Sequence, residues 1–218
     1  EWEKPKSVKV TKGDSFIVNE DHILNLYVTP NKKGVSVGYE NVTARRYVDE
    51  TNWFRHRRKL HRVPIDFDKK TLPIDPWFLG VLLGDGDLNS STPSITTKNE
   101  AVINRAIKCV NKMGMSASFV STNRDIYQIN FRKKERTSVY KSDLQIALQS
   151  LGLGYKGNEG KFIPHIYLTS DRHDRLELLA GLIDTDGSLN NAGYDYISKS
   201  KELANGIVFL CRSLGLAA

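Results

Sequence analysis

The chain has 218 residues and a formal net charge of +7, with 39% hydrophobic and 26% charged residues. This is ordinary for a soluble globular protein and allows one large or two small domains. No apolar stretch is long enough to cross a membrane and no secretory signal is visible, so we expect an intracellular, cytoplasmic protein. The positive charge makes a polyanionic partner plausible.

The two cysteines, Cys109 and Cys211, are isolated in segments with helical spacing. We therefore expect two free thiols rather than a disulfide or a metal-binding pair.

Residues 1–44 predict an all-β segment. β-prone runs alternate with turn residues, and the predicted strands are Ser7–Thr11, Ser15–Val18, His22–Val28 and Val35–Tyr39.

Residues 45–73 predict a basic linker, whose most densely charged part contains Arg55, Arg57, Arg58 and Lys59. Two interpretations stay open. The linker is either a solvated surface run or an arm that contacts phosphates.

One segment then occurs twice, 101 residues apart: Phe78–Gly86 returns as Leu179–Gly187. Each copy is an apolar run that ends in an acidic residue and a glycine. Gly114 and Gly215 hold the same register, as do Lys98 and Lys199. Two equivalent halves predict one active site across a pseudo-twofold axis, as cutting both strands of a duplex requires.

Between the two copies, the spacing of apolar residues predicts further elements. They are a first-motif helix beginning at Asp75-Pro76, a strand at Ser94–Thr97, a helix at Glu100–Met113 capped by Asn99, a hairpin of Ser118–Thr122 with Ile126–Arg132, and a helix near Lys141–Leu151.

In the second strand of that hairpin, Tyr127, Ile129 and Phe131 alternate with polar residues, which are Gln128, Asn130 and Arg132. The polar set suits base edges and phosphates, although a half-buried surface strand would show the same alternation.

Small residues recur four apart in both motifs, at Gly80 and Gly84 and at Gly181 and Thr185. This spacing lets two helices cross closely, which would bring Asp85 and Asp186 together at the helix ends. Two such carboxylates repel unless a cation lies between them, and oxygen ligands suit Mg²⁺. A metal so held could polarise a scissile phosphate.

Leu179–Gly187 resembles the signature of the LAGLIDADG (DOD-type) homing endonucleases, differing at Thr185, and Gly84-Asp85-Gly86 fits the looser form found within inteins. The resemblance covers residues 74–218, with a first repeat at 74–155 and an incomplete second repeat at 161–218.

The resemblance implies an αββαββα repeat forming a saddle over the major groove. It also implies a monomer with an internal pseudo-dimer and Mg²⁺-dependent cuts in a long double-stranded DNA target. Asp85 and Asp186 would bind the metal and Asp184 would lie at the helix interface, where the first copy has Leu83. The implied source is a microbial or phage gene.

Two further segments resemble parts of inteins. Gly160–Pro164 is similar to a Lys-x-Ile-Pro element, which implies that Lys161 acts near the scissile phosphate. Ser15–Leu24 resembles a splicing block, in which His22 would act as an acid–base group while Asn19 replaces the usual Thr.

The expected class is therefore α+β, with a partial Hint-type splicing segment before the endonuclease and host exteins as partners. Glu1 is no splicing nucleophile and Ala218 is no cyclising residue, so we expect a chain cut at both ends. Two alternatives remain: a free-standing or intron-encoded LAGLIDADG endonuclease, and a non-cleaving nucleic-acid binder such as an RNA maturase.

Overall fold

The structure is a computed structural model that describes residues 6–8, 15–30, 38–123, 126–134, 141–191 and 193–218. It contains two compact units: an N-terminal unit, residues 1–63 with Ala218, and a C-terminal unit, residues 64–217. Both contain helices and strands, which confirms the predicted α+β class. Within the described ranges, no helix has the length and apolar character that crossing a membrane requires.

The N-terminal unit contains five strands and two short helices in its described part. They are β1 (Lys6–Val8), β2 (Phe16–Val18), β3 (Ile23–Val28), β4 (Tyr39–Thr43), α1 (Ala44–Asp49), α2 (Asn52–Arg57) and β5 (Arg58–Leu60). β1 and β2 form an antiparallel pair, and a three-stranded antiparallel sheet has the order β4-β3-β5.

The core of this unit lies on one face of β3. Leu24 and Leu26 are buried there and pack with Val42, Ala44 and Phe54. Alternate residues of β3 are exposed, as the period of a strand with one solvated face requires.

The N-terminal strand predictions agree in part with the structure. The predicted strands at 15–18 and 22–28 appear as β2 and β3. Most of the predicted strand Val35–Tyr39 and the end of Ser7–Thr11 lie outside the described residues. Tyr39 is the first residue of β4, which continues to Thr43.

Residues 45–60 differ from the predicted basic linker, because they fold into α1, α2 and β5. The hydroxyls of Thr43 and Thr51 accept hydrogen bonds from the backbone N–H groups of Arg46 and Phe54, which begins each helix with a side-chain cap. The Phe54 side chain is then buried in the core. One buried aromatic ring and two helix caps therefore determine the structure of this segment, despite its basic composition.

The described part of the C-terminal unit contains six helices, six strands and one 3₁₀ turn. They are α3 (Pro76–Asp85), β6 (Gly86–Asp87), β7 (Ser94–Thr97), α4 (Glu100–Lys112), β8 (Met115–Asn123), β9 (Ile126–Lys133), α5 (Asp143–Ser150), the turn Asn158–Gly160, α6 (His165–Leu168), α7 (Arg172–Asp186), β10 (Gly187–Asn190), β11 (Gly193–Tyr196) and α8 (Lys201–Ser213). One sheet has the order β6-β7-β9-β8, and β10 pairs with β11.

The 101-residue register of the sequence is also the register of these elements. α4 and α8 begin after side-chain caps at Asn99 and Ser200, which are 101 residues apart. Each helix is followed by a glycine with positive φ, +68° at Gly114 and +82° at Gly215, a conformation that favours glycine after a helix end.

α3 lies at the centre of the C-terminal core. Its residues Trp77–Leu83 are buried without interruption, so no face of this part of the helix meets solvent. Phe78 packs edge-to-face on Phe131 of β9, with ring centroids 5.2 Å apart. A helix that is apolar all round is stable only inside a core, which explains why its sequence lacks an amphipathic period.

Arg175 of α7 is fully buried and bonded to oxygen atoms from three parts of this unit. Its guanidinium donates to the carbonyl oxygens of Ser170, Ser213 and Ile65 at 2.5–2.9 Å and to the Ser213 hydroxyl at 2.7 Å. Because a buried guanidinium needs such acceptors, it ties α7 to the end of α8 and to the segment before α3.

α3 and α7 cross with their backbones in contact. A methyl group built on Gly80 would meet the carbonyl oxygen of Leu178, and one on Gly181 would meet that of Trp77. These two contacts are related by the 101-residue offset, so the crossing point lies on a pseudo-twofold axis. Only glycine permits this approach.

We predict that Gly80→Ala and Gly181→Ala destabilise the chain by about 1–3 kcal/mol, because each methyl forces the two backbones apart. Gly206→Ala is the matched control in helix α8. Its methyl would meet only the Ile163 side chain at 3.3 Å, and alanine is favoured over glycine in a helix by about 1 kcal/mol. Urea unfolding of the purified variants measures the difference. Equal effects at all three positions would contradict a backbone-limited crossing.

Candidate active site

The crossing of α3 and α7 continues to the C-terminal ends of both helices. Gly84 lies against Thr185, its equivalent in the second repeat. The Thr185 hydroxyl is within hydrogen-bonding distance of the carbonyl oxygens of Gly181 and Leu182, at 3.1 and 3.0 Å. The four predicted interface residues, Gly80, Gly84, Gly181 and Thr185, therefore meet at one interface.

Asp184 joins the same interface through one asymmetric contact. Its carboxylate accepts a hydrogen bond of 2.8 Å from the indole N–H of Trp77. The equivalent positions in the other half are Leu83 and Leu178, which are buried and apolar. The two helices are thus equivalent in backbone but not in side chains.

Asp85 and Asp186 are the last residues of α3 and α7, and both line one cleft of about 420 Å³. Asp85 is half-buried and Asp186 is exposed. Burial, together with the charge of Asp186, raises the pKa of the Asp85 carboxyl, while the nearby Lys161 opposes that rise. The cleft therefore holds two carboxylates whose joint ionisation is unfavourable in the free protein.

Lys161 lies beneath this cleft and is only 2% exposed. Its ammonium donates to the carbonyl oxygens of Gly84 and Gly86, at 3.0 and 2.7 Å. Burial lowers the pKa of Lys161, while the carboxylates of Asp186, Asp85 and Asp87 counteract this. A cation at the C-terminal end of α3 also opposes the negative end of the helix dipole.

In the structure, Lys161 therefore holds the C-terminal end of α3, a role that was not predicted from the sequence. Two of the three ammonium protons are used on main-chain oxygens that flank Asp85. The main chain of Lys161 is held in turn, because its carbonyl oxygen accepts a 2.6 Å bond from the hydroxyl of Ser200, the cap of α8.

Five further polar residues line or border the cleft without having been predicted: Asp87, Asn158, Tyr196, Ser198 and Lys199. Tyr196 donates its hydroxyl proton to Asp186 over 3.4 Å. Burial and then the charge of Asp186 raise the pKa of the Tyr196 hydroxyl. A signal existed for Lys199, which matches Lys98 in the repeat register, but none for Asp87 or Tyr196.

The oxygen atoms of this cleft suit a divalent cation such as Mg²⁺. Mg²⁺ is typically bound by one or two carboxylates, several waters and a substrate phosphate. Asp85 and Asp186, which both line the cleft, could supply these carboxylates. Within the described ranges, no three or more His, Cys, Asp or Glu side chains form a group that could hold a metal ion, so the Asp85–Asp186 pair would need further ligands from water or phosphate.

The predicted DNA-contacting residues of β9 lie on one face of the four-stranded sheet. Gln128 and Asn130 are half-buried and Arg132 is exposed, whereas Ile129 and Phe131 between them are buried. Gln128 donates to the Ser94 hydroxyl at 3.3 Å. Tyr127, which alternates with the polar residues together with Ile129 and Phe131, remains 37% exposed.

Ser118 of β8 adds a further polar atom to this sheet. It lies opposite Asn130 in the strand register. In the described part of the chain, its hydroxyl is the one buried side-chain polar atom without a hydrogen-bond partner. Such atoms are rare in folded proteins, and this one is buried rather than exposed on the polar face.

The basic residues of the predicted arm are mostly engaged within the N-terminal unit. Arg55 donates to the Val48 carbonyl oxygen at 2.6 Å, and Arg57 donates to that of Thr29 at 2.6 Å. Arg58 pairs with Glu40 at 2.7 Å and lies over the Phe54 ring. Lys59 is exposed.

The predicted splicing residues, Asn19 and His22, are exposed at the turn between β2 and β3. The backbone N–H of His22 donates to the carbonyl oxygen of Asn19 at 3.3 Å. The two residues therefore lie together at this turn.

Residues 163–218 match the model of the homing endonuclease family. The match begins just after Lys161 and covers α6 to α8, including the second motif with Asp186. It supports a homing endonuclease and hence an endonuclease that acts on DNA.

A second comparison concerns a curated protein described as replicative DNA helicase DnaB from Mycobacterium intracellulare. The two chains are 30% identical over 164 residues, which are 73% of this chain and 23% of that protein. The chain thus spans less than a quarter of the length of this relative.

We predict that Lys161→Met destabilises the chain by about 1–3 kcal/mol, because two buried carbonyl oxygens lose their donor. Lys199→Met, an exposed lysine of the same cleft, is the matched control and should change stability by less than about 0.5 kcal/mol. Chemical unfolding monitored by tryptophan fluorescence measures both. An unchanged Lys161→Met variant would mean that the ammonium does not hold the end of α3.

Proposed function

We propose that the C-terminal unit is a LAGLIDADG-type homing endonuclease that cleaves double-stranded DNA with Mg²⁺, and that an intein carries it. One observation supports this most: two helices related by an internal repeat cross at glycine and deliver Asp85 and Asp186 into one cleft. The family match over residues 163–218 supports the homing endonuclease part of this proposal.

Asp85 and Asp186 would hold Mg²⁺ between the two halves. When bound, this ion would polarise the scissile phosphate and make a water molecule more acidic. The carboxylates supply negative oxygen ligands, and their mutual repulsion in the free protein favours a cation between them.

Other residues of the chain orient these ligands. Lys161 fixes the carbonyl oxygens on both sides of Asp85, and the Tyr196 hydroxyl restrains Asp186. A carboxylate held by such contacts does not have to be ordered again when DNA arrives.

DNA would lie against the polar face of the β6-β7-β9-β8 sheet. Gln128 and Asn130 carry amides that can pair with base edges in the major groove, and Arg132 can pair with guanine or phosphate.

The intein context draws support from the helicase relative. A match that fills 23% of a much longer protein is the arrangement expected of a segment carried within a host. This chain contains no G-x-x-x-x-G-K-S/T phosphate-binding loop, so nothing assigns nucleotide-driven helicase activity to it. In the proposal, His22 and Asn19 belong to a Hint-type splicing segment and the host supplies the exteins.

Sequencing the surrounding gene distinguishes this context from a free-standing endonuclease. An intein requires, in frame, an upstream Cys or Ser block and a downstream His-Asn before Cys, Ser or Thr. A Met just upstream and a stop codon after a completed second repeat would instead indicate a free-standing enzyme, and His22 would be an ordinary surface residue.

We predict that Mg²⁺ at saturating concentration stabilises the chain against thermal unfolding and that Asp85→Asn or Asp186→Asn abolishes this effect. Ligand present at 100 times its dissociation constant stabilises by about 2.7 kcal/mol. Asp87→Asn, an exposed carboxylate of the same cleft, is the control and should keep most of the effect. If Asp87→Asn were the one variant to lose the stabilisation, the metal would not be bound by Asp85 and Asp186.

The Asp85→Asn variant also has an expected pH dependence without metal. Because the pKa of Asp85 is raised in the folded chain, the folded state binds its proton more tightly than the unfolded state. The corresponding stability is present below the unfolded pKa and is lost as the pH rises through the folded pKa. Asp85→Asn should remove this loss and be the more stable chain at neutral pH.

For cleavage, we predict that Asp186→Asn in the complete reading frame abolishes double-strand cutting of the host gene lacking the insertion, while specific binding of that DNA persists. In this proposal, the Asp186 carboxylate acts in the reaction but is not part of the sheet face that contacts the duplex. Gel-shift and cleavage assays on one substrate measure both properties. Loss of binding together with cleavage would identify Asp186 as a structural residue.

A further inference from the structure

The exposed face of the β4-β3-β5 sheet in the N-terminal unit carries aromatic rings from all three chain segments. Tyr39 of β4 lies opposite Tyr27 of β3, with ring centroids 5.6 Å apart. His61, directly after β5, lies 4.8 Å from Tyr39 between ring centroids. Tyr39 is 63% exposed and Tyr27 is 38% exposed, so these rings form an accessible surface rather than part of the core.

A row of hydrogen-bonded polar side chains crosses the same face beside the rings. The Asn25 amide nitrogen donates to the Asn41 amide oxygen at 2.8 Å. The Asn25 oxygen lies 2.8 Å from the imidazole Nε2 of His61. The row therefore reaches from β4 across β3 to His61 and presents amide groups, which pair readily with base edges.

The charge of this face suits a polyanion. Lys59 lies opposite Tyr27 in the register and is exposed. No alternate residue of β3, β4 or β5 that shares this face is acidic; Glu40 of β4 is instead paired with Arg58 at 2.7 Å. Residues 1–63 contain 13 Lys and Arg against 8 Asp and Glu, so they carry five of the seven excess positive charges.

We propose that this face binds single-stranded DNA, with bases stacked on Tyr27, Tyr39 and His61 and the backbone held by Lys59. Aromatic rings on a sheet can stack on bases only where those bases are unstacked from a duplex. The asparagine row offers hydrogen bonds beside the rings without selecting one base. The site lies in the N-terminal unit and is independent of the cleft that holds Asp85 and Asp186.

The test uses the full chain in EDTA with a fluorescent oligothymidylate of about 15 nucleotides, a length that spans such sites. Fluorescence anisotropy gives the affinity. Tyr39→Ala and Tyr27→Ala should each weaken binding by about 5- to 150-fold, the range for loss of one base–aromatic stack. Tyr39→Phe keeps the ring and should stay within about twofold of the original chain.

Two controls separate this face from other surfaces. Trp53 of α2 is 61% exposed in the same unit but lies outside the sheet face, so Trp53→Ala should leave oligonucleotide binding unchanged. Arg132→Ala, on the proposed duplex-binding sheet, should weaken duplex binding and spare the oligonucleotide. Asp85→Asn should also spare it, so a failed nuclease assignment would not affect this result.

Several outcomes would overturn the proposal. They are absence of oligothymidylate binding, equal loss with Tyr39→Ala and Tyr39→Phe, equal loss with Trp53→Ala, or a loss of duplex or RNA affinity in Tyr39→Ala as large as its loss of oligothymidylate affinity. Size-exclusion chromatography covers the remaining possibility. If Tyr39→Ala converts a self-associated chain to a monomer without changing oligonucleotide affinity, the face is a protein interface.

Discussion

The close crossing of α3 and α7 is the constraint on which the candidate active site depends. Because Gly80 and Gly181 lack side chains, each backbone lies against a carbonyl oxygen of the other helix. The helices then end at the same cleft, where each contributes an aspartate as its last residue. Two helix C-termini and two carboxylates all bring negative charge to one place. This arrangement is electrostatically unfavourable in the free protein and suits a cation.

Lys161 shows how the fold tolerates that charge before any ligand binds. Its ammonium is buried against the end of α3 and faces the carboxylates of Asp85, Asp87 and Asp186. The first half of the site thus has a fixed internal cation. In the second half, the Tyr196 hydroxyl restrains Asp186 instead. Two halves that share a backbone register therefore position their carboxylates by different chemistry.

Local signals in the sequence were sufficient to predict much of the C-terminal unit. The strand Ser94–Thr97, the helix capped by Asn99 and the β8–β9 hairpin follow from caps and periodicity, and the repeat register predicted that Asp85 and Asp186 end equivalent helices. The burial of Lys161 and Arg175 could not be predicted this way, because their hydrogen bonds join residues far apart in sequence. Residues 45–60 were misread for a related reason: a single buried ring, Phe54, and two threonine caps determine their structure.

The contrast between local signals and contacts distant in sequence also explains why the aromatic face of the N-terminal unit was not predicted. Tyr27, Tyr39 and His61 are well separated in the sequence, and no local pattern connects them. Antiparallel pairing of β3 with both β4 and β5 places them on one face. Arg57 and Arg58, which dominated the sequence pattern, are used instead to bond Thr29 and Glu40. The positive charge best placed to meet a nucleic acid is therefore Lys59, because its neighbours in sequence already stabilise the fold while it remains beside exposed aromatic rings.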